Sequence, residues 1–101
     1  MGFQLITCIV ERGKADKVVD EAIKAGATSA TMFYARGRGV KEKMGIFGEY
    51  ILPEKEVILI VTKSDQTQSI FEVVIKAARL DIPGKGFAYI QPVEKTTGYF
   101  E

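Results

Sequence analysis

The chain has 101 residues, with 14 lysines and arginines against 13 aspartates and glutamates, so its formal net charge is only +1. This length suits one compact domain, and the balanced charge gives no general attraction to nucleic acid, so no nucleic-acid partner is expected. The absence of histidine removes the commonest metal ligand and the usual base at neutral pH, and the single cysteine excludes an internal disulfide.

A strand and a helix are the first predicted elements. Residues 3–10 are apolar and rich in Ile and Val, which is typical of a buried strand, and Cys8 within them is expected to be a small buried hydrophobe. From Ala15 onward apolar residues recur at helical spacing until Gly26, a residue type that often ends helices. No signal-peptide pattern or apolar run of roughly 20 residues occurs, so a cytoplasmic protein is expected.

The middle of the chain predicts two strands separated by a loop. Residues 28–34 are rich in β-branched and aromatic side chains, which favours a second strand. Residues 36–49 hold four glycines among basic residues, so we expect a mobile loop there. A third strand is predicted over residues 50–62, with a kink or interruption at Pro53.

The last part of the chain predicts a helix, a turn and a strand. Ser64 or Asp65 is expected to cap a helix whose apolar face runs through residues 70–78. That helix ends in the basic stretch Lys76-Ala77-Ala78-Arg79, and the predicted fourth strand covers residues 87–92.

The order of these elements predicts the fold. A strand, helix, strand, strand, helix and strand form the ferredoxin-like βαββαβ pattern of the α+β class. This single domain, residues 1–101, has a four-stranded antiparallel sheet with two helices on one face. The other face of the sheet would remain bare in a monomer, and an exposed apolar face of this size usually indicates oligomerisation.

Two glycine-containing segments are candidates for anion binding. In Gly84-Lys85-Gly86, the glycines would expose backbone N–H groups and the lysine would neutralise phosphate, although an ordinary turn with a solvated lysine has the same pattern. The segment that begins Arg36-Gly37-Arg38 offers guanidinium groups, but it also fits a solvated hinge. Both segments lie at element ends, so they are candidates for one site, including one that crosses a subunit boundary.

Several of these motifs, in this order, resemble the P-II signalling family. The shared features are the Lys-Ala-Ala-Arg helix end, the Gly-x-Gly turn, the Pro92-Val93-Glu94 strand end, and the Gly48-Glu49-Tyr50 segment. The resemblance implies a homotrimer of ferredoxin-like subunits with ATP or ADP in the clefts between them. It also implies a flexible T-loop, here about residues 36–49, that docks on protein partners. By position, it implies that the cleft would be lined by Thr28, Gly37, Arg38, Gly84, Lys85 and Gly86.

The sequence also departs from the family pattern. Phe87 stands where the family usually has a phosphate-contacting lysine, and residues 95–99 replace an Arg-x-Arg-Thr-Gly stretch that supplies further phosphate contacts. The T-loop is short, and the tyrosine that is uridylylated in some members has no counterpart, since Tyr50 corresponds to a second tyrosine near the end of the loop. Weaker nucleotide binding than in a full-length relative is therefore expected.

Four functions follow from these observations. The first is a noncatalytic regulator that binds an adenine nucleotide and controls a partner, such as a membrane transporter or an enzyme of nitrogen metabolism, through its loop. The second is a small phosphate-handling enzyme of the acylphosphatase type, although no nucleophile with an adjacent base is evident. The third is a nucleotide-independent trimeric adaptor. The fourth, a metal-handling protein, is disfavoured because the chain lacks histidine and has one cysteine.

Overall fold

The computed structural model describes residues 2–37 and 54–99. These residues form the βαββαβ order that the sequence predicts, so the ferredoxin-like fold is confirmed. The elements are β1 (Phe3–Glu11), α1 (Ala15–Lys24), β2 (Thr31–Arg36), β3 (Glu54–Lys63), α2 (Ser64–Ala78) and β4 (Gly86–Val93).

The four strands make one sheet in the order β2-β3-β1-β4, and all neighbouring strands are antiparallel. The central strands β1 and β3 are the most apolar, and the outer strands β2 and β4 form the two edges. In this register, the end of β1 lies beside the start of β3 and the start of β4. The last residue of β2, Arg36, pairs with Glu54 at the same end of the sheet.

Both helices cover one face of the sheet and form the core with it. Alternate residues of the central strands, such as Ile6, Cys8 and Ile60, are completely buried. The α2 residues Ile70 and Val74 are completely buried as well. Since strand residues alternate between faces and helix residues recur every three or four positions, this core follows from the two periodicities of the sequence.

The other face of the sheet is uncovered in the single chain, as the sequence predicts. Phe33 of β2 is 46% exposed, and Phe87 and Tyr89 of β4 are 56% and 41% exposed. The rings of Phe87 and Tyr89 stack with centroids 6.0 Å apart. The pairing of Ile9 with both Val57 and Phe87 places these three residues in one row on this face.

Two predicted boundaries of β2 were wrong. The strand begins at Thr31 rather than at residue 28, because the chain is still bonded to α1 there: the Ala27 N–H donates to the Ala22 carbonyl at 3.0 Å. Arg36 was expected to begin the loop, but it is the last residue of β2 and pairs with Glu54. The rest of the predicted loop and the predicted start of β3, residues 38–53, lie outside the described residues.

The predicted cap of α2 was also wrong. The helix follows β3 with no intervening residue, and Lys63 occupies the N-cap position without a side-chain cap hydrogen bond. The backbone N–H of Ser64 donates instead to the Gly2 carbonyl at 2.9 Å. Neither helix in the part of the chain that the structure describes is long and apolar enough to cross a membrane.

Candidate functional site

The glycine turn, residues 84–86, connects the end of α2 to β4. The helix ends at Ala78, and Arg79 takes a left-handed conformation with φ of 56° while its N–H donates to the Lys76 carbonyl. The Lys85 N–H donates to the Ile82 carbonyl at 3.3 Å, so this donor is already used within the turn.

The two glycines of the turn are required for different structural reasons. Gly84 has φ of +87° and open space around it, so its requirement is conformational. Gly86 has φ of +138°, and a Cβ atom there would lie 2.1 Å from the Ile9 carbonyl oxygen, where no side chain fits. Close strand pairing therefore explains Gly86 without any ligand, whereas the open space beside Gly84 leaves room for one.

Lys85 lies next to an acidic side chain in the structure. Its Nζ is 3.7 Å from Glu11 Oε1, and both side chains are a little over 40% exposed. The cation that the sequence assigns to a phosphate is thus partly neutralised by the last residue of β1. A weak, exposed pair of this kind is readily exchanged for another anion.

A second lysine lies on the other side of Glu11. Glu11 is the direct cross-strand partner of Lys55 in β3. A Cβ atom on Gly37 would lie 3.8 Å from Lys55 Cγ, so the Lys55 side chain passes beside the residue that follows β2. We call Lys85, Glu11 and Lys55 the charged row, because they cross this end of the sheet from the glycine turn towards Gly37.

The charged row spans two segments that the resemblance assigned to one cleft. Gly37 and the glycine turn lie at the same end of the sheet but on opposite edges, with β3 and β1 between them. Three strand spacings separate those edges by about 14 Å. One chain therefore does not bring these two segments to a common small ligand, and a shared site would need a neighbouring subunit.

The remaining predicted site residues are placed differently. Thr28 lies in the connection between α1 and β2, three residues before the strand begins, whereas Gly37 follows its last residue. The six residues of β2 span about 20 Å, so Thr28 is not near Gly37 in the same chain. Arg38 lies outside the described residues.

Arg12 connects the end of β1 to both β2 and β3. Its Nη1 is 2.7 Å from Glu54 Oε2 at the start of β3, and its guanidinium carbon is 5.1 Å from the ring centroid of Tyr34 in β2. The hydrogen bond and charge of Glu54 raise the pKa of Arg12 above its ordinary value. An open groove lies beside this contact, and Tyr34, Ala35, Arg36 and Glu54 are among the residues lining it.

Glu56 holds the start of α1 from the neighbouring strand. Its Oε1 accepts the Gly13 N–H at 2.7 Å and the Ala15 N–H at 3.4 Å. These donors lack partners within the helix, and a carboxylate also interacts favourably with a helix N-terminus. Residues 11–15 therefore contact the glycine turn, β2 and β3, and they include the start of α1.

Sequence reasoning assigned no role in the site to Glu11, Arg12 or Lys55. Their relations arise from strand pairing, and no local motif reveals them. Within residues 2–37 and 54–99, no group of three or more acidic, histidine or cysteine side chains is arranged to hold a metal ion.

The chain is similar in sequence to known proteins. Residues 3–98 match the family model described as "Nitrogen regulatory protein P-II". A nifHD region GlnB-like protein 1 of Methanobacterium ivanovii is 31% identical over 94 residues, covering 91% of this chain and 89% of that protein. The nifHD1 region GlnB-like protein 1 of Methanosarcina barkeri is 27% identical over 93 residues, with the same coverage.

A solved structure shares the fold as well. The crystal structure of Arabidopsis thaliana PII bound to citrate matches with a TM-score of 0.72 and 28% sequence identity. The match covers 91% of this chain and 78% of the Arabidopsis chain.

Proposed function

The chain belongs to the nitrogen regulatory protein P-II family, and we propose that it is a signalling regulator that binds ATP, ADP or another adenine nucleotide between the subunits of a homotrimer. P-II proteins act as regulators rather than enzymes, so no catalytic residue is assigned. In this proposal the nucleotide changes the conformation of the loop that follows Arg36, and the loop controls a cytoplasmic or membrane-bound protein partner.

The main support for the proposal is the placement of Gly37 and the glycine turn. Gly37 and the glycine turn lie at one end of the sheet, and a lysine of the charged row lies beside each of them. Lysines and backbone N–H groups suit a phosphate chain, and Gly84 leaves the backbone open to it. Arg38, Lys85 and Gly86 complete the proposed site at this end of the sheet. Thr28 lies before the start of β2, about 20 Å from Gly37, and would join the site only from a neighbouring subunit.

The proposed site residues lie at two opposite edges of the sheet, which supports a nucleotide position between subunits. Because about 14 Å separates the edges within one chain, the β2 edge of one subunit would face the β4 edge of the next. The exposed aromatic residues Phe33, Phe87 and Tyr89 supply apolar area for such an assembly. Burial stabilises by roughly 25 cal/mol per Å² of apolar surface, which favours a homotrimer that covers the bare face.

The loop is the proposed output of the regulator. β2 ends at Arg36 and β3 begins at Glu54, which Arg12 contacts, so both ends of the segment proposed as the loop lie at the candidate site. A ligand near Gly37 would act on the first residues of the loop directly. The partner is proposed to be a membrane transporter or an enzyme of nitrogen metabolism, as the family implies.

Calorimetry with ATP, ADP, AMP and a cyclic nucleotide tests the proposal. We expect micromolar to millimolar binding that is weakened in Lys85→Ala and Arg38→Ala, whereas Lys17→Ala, on the exposed side of α1, serves as the charge-matched control. Light scattering checks that each variant is still trimeric. Binding unaffected by both site substitutions would refute the assignment of the site.

A nucleotide-independent trimeric adaptor is the competing proposal. It is favoured by one observation, namely that Lys85 already has the Glu11 carboxylate as a partner. Absence of any nucleotide binding at millimolar concentration, with the trimer intact, would support the adaptor. Turnover of ATP or of an acyl phosphate would instead support an enzyme of the acylphosphatase type.

A further inference from the structure

The carboxylate of Glu11 lies where it competes with an anionic ligand of the glycine turn. It is 3.7 Å from the Lys85 ammonium, at the register position where β1 ends and the turn leads into β4. We propose that Glu11 is an affinity-setting residue that occupies Lys85 in the free protein and is displaced when an anion binds. This inference rests on the proposed function, because it assigns the regulation of the same site.

The exposure of the pair makes the exchange feasible. The Lys85 and Glu11 side chains are 42% and 45% exposed, so solvent screens their attraction and little free energy holds them together. A phosphate chain bears several charges and offers more acceptor oxygens than one carboxylate. A ligand with two or more negative charges therefore displaces Glu11, whereas a singly charged anion gains little from the exchange.

The charged row explains where Glu11 would go. Its direct cross-strand neighbour is Lys55, on the side of Glu11 away from β4. Side chains in directly opposed positions of antiparallel strands lie within reach of each other. Glu11 released from Lys85 thus has a second cation available. The Lys55 side chain passes beside Gly37, since a Cβ atom there would lie 3.8 Å from Lys55 Cγ. Ligand binding at the turn would then alter the charge environment beside the first residue of the loop.

As a consequence, the Glu11 carboxylate lowers the affinity of the site for an anionic ligand. Substituting Glu11 by Gln keeps the size of the side chain and removes its charge, so Lys85 becomes available without a change in packing. The tighter ligand binding expected in Glu11→Gln must depend on the charge of the ligand and on the presence of Lys85. General repulsion between Glu11 and a ligand would depend on charge alone, which separates the two explanations.

A double-mutant cycle tests this inference with ATP as the anionic probe and adenosine as its uncharged counterpart. The proteins are the unsubstituted chain, Glu11→Gln, Lys85→Gln and the double variant, measured by calorimetry at low ionic strength. We expect Glu11→Gln to tighten ATP binding about twofold to fivefold, the range for an exposed ion pair, and to leave adenosine unchanged. In the Lys85→Gln background the same substitution should have almost no effect.

Glu94→Gln is the matched control, because it removes the same charge at the opposite end of β4, and it should leave ATP affinity unchanged. Unaltered or weaker ATP binding by Glu11→Gln refutes the inference while leaving the proposed function in place. Tightening that persists in the Lys85→Gln background also refutes it, since repulsion then suffices. If neither the natural protein nor Glu11→Gln binds ATP, the proposed function fails and the competition fails with it.

Discussion

The Arg12 guanidinium lies 2.7 Å from the Glu54 carboxylate, and the Arg12 backbone N–H also donates to the Glu54 carbonyl at 3.2 Å. These two contacts attach the end of β1 to the first residue of β3. The nearby Glu56 makes a different kind of contact, because it accepts backbone N–H groups at the start of α1. The short Arg12–Glu54 ion pair is exposed, whereas Glu56 is half-buried.

We therefore expect Glu56→Ala to destabilise the protein more than Glu54→Ala. Loss of Glu56 leaves N–H groups of a helix N-terminus without their acceptor, which costs about 1 kcal/mol. Loss of Glu54 removes an exposed ion pair that solvent largely replaces. Urea denaturation of both variants at one protein concentration measures the difference. Equal losses, or a larger loss in Glu54→Ala, would contradict this ranking.

The two glycines of the turn should respond differently to alanine. Gly86→Ala forces a Cβ atom towards the Ile9 carbonyl oxygen, so β4 must move away from β1, and we expect a loss above about 3 kcal/mol or failure to fold. In Gly84→Ala the new Cβ atom lies in open space. The only loss of stability comes from the left-handed backbone conformation, and it amounts to about 1–2 kcal/mol. Denaturation midpoints of the two variants test this order. A Gly86→Ala protein as stable as Gly84→Ala would contradict the observed strand pairing.

Cys8 should make stability depend on alkaline pH. Burial raises the pKa of its thiol from 9.0 to about 11, a difference that corresponds to about 3 kcal/mol. Below pH 9 the thiol is protonated in both the folded and the unfolded state, so its ionisation does not reduce the free energy of unfolding. Between pH 9 and 11 the unfolded chain loses its proton first, so the free energy of unfolding falls as pH rises.

Cys8→Ala provides the control for this titration, because tyrosines and lysines ionise in both proteins. The natural protein should lose more stability than Cys8→Ala between pH 8.5 and 10.5, as measured by urea denaturation. The native thiol should also react slowly with a thiol reagent at pH 8. Parallel pH profiles for the two proteins would show that the burial of Cys8 does not control its ionisation.

The uncovered sheet face should determine the assembly. Phe33→Asp places a charge on that face, and we expect light scattering to show dissociation of the proposed trimer into monomers. Ile23→Asp is the matched control, because Ile23 is also about half exposed, at 49%, but lies on α1. The control should remain trimeric. A trimer in both variants, or dissociation in Ile23→Asp alone, would place the interface elsewhere.

The sequence predicts the fold better than it predicts the candidate site. Strand and helix periodicities identify all six elements, the burial of Cys8 and the bare face with Phe33, because each is a local pattern. The start of β2 was wrong since the bond from Ala27 to α1 has no local signal. The contact between Glu11 and Lys85 joins distant parts of the chain through strand pairing, so a sequence-based interpretation of Lys85 as a phosphate ligand did not include its acidic neighbour.

Binding of an anionic nucleotide at the glycine turn is the basis of the proposed function. Backbone amide chemical shifts of the ¹⁵N-labelled protein, followed during separate titrations with ATP and adenosine, test for this binding residue by residue. We predict saturable shifts at Gly84, Lys85 and Gly86, and at Gly37, with ATP and much smaller shifts with adenosine. Unchanged amides at these four residues with millimolar ATP, or equal shifts with both compounds, would contradict the claim.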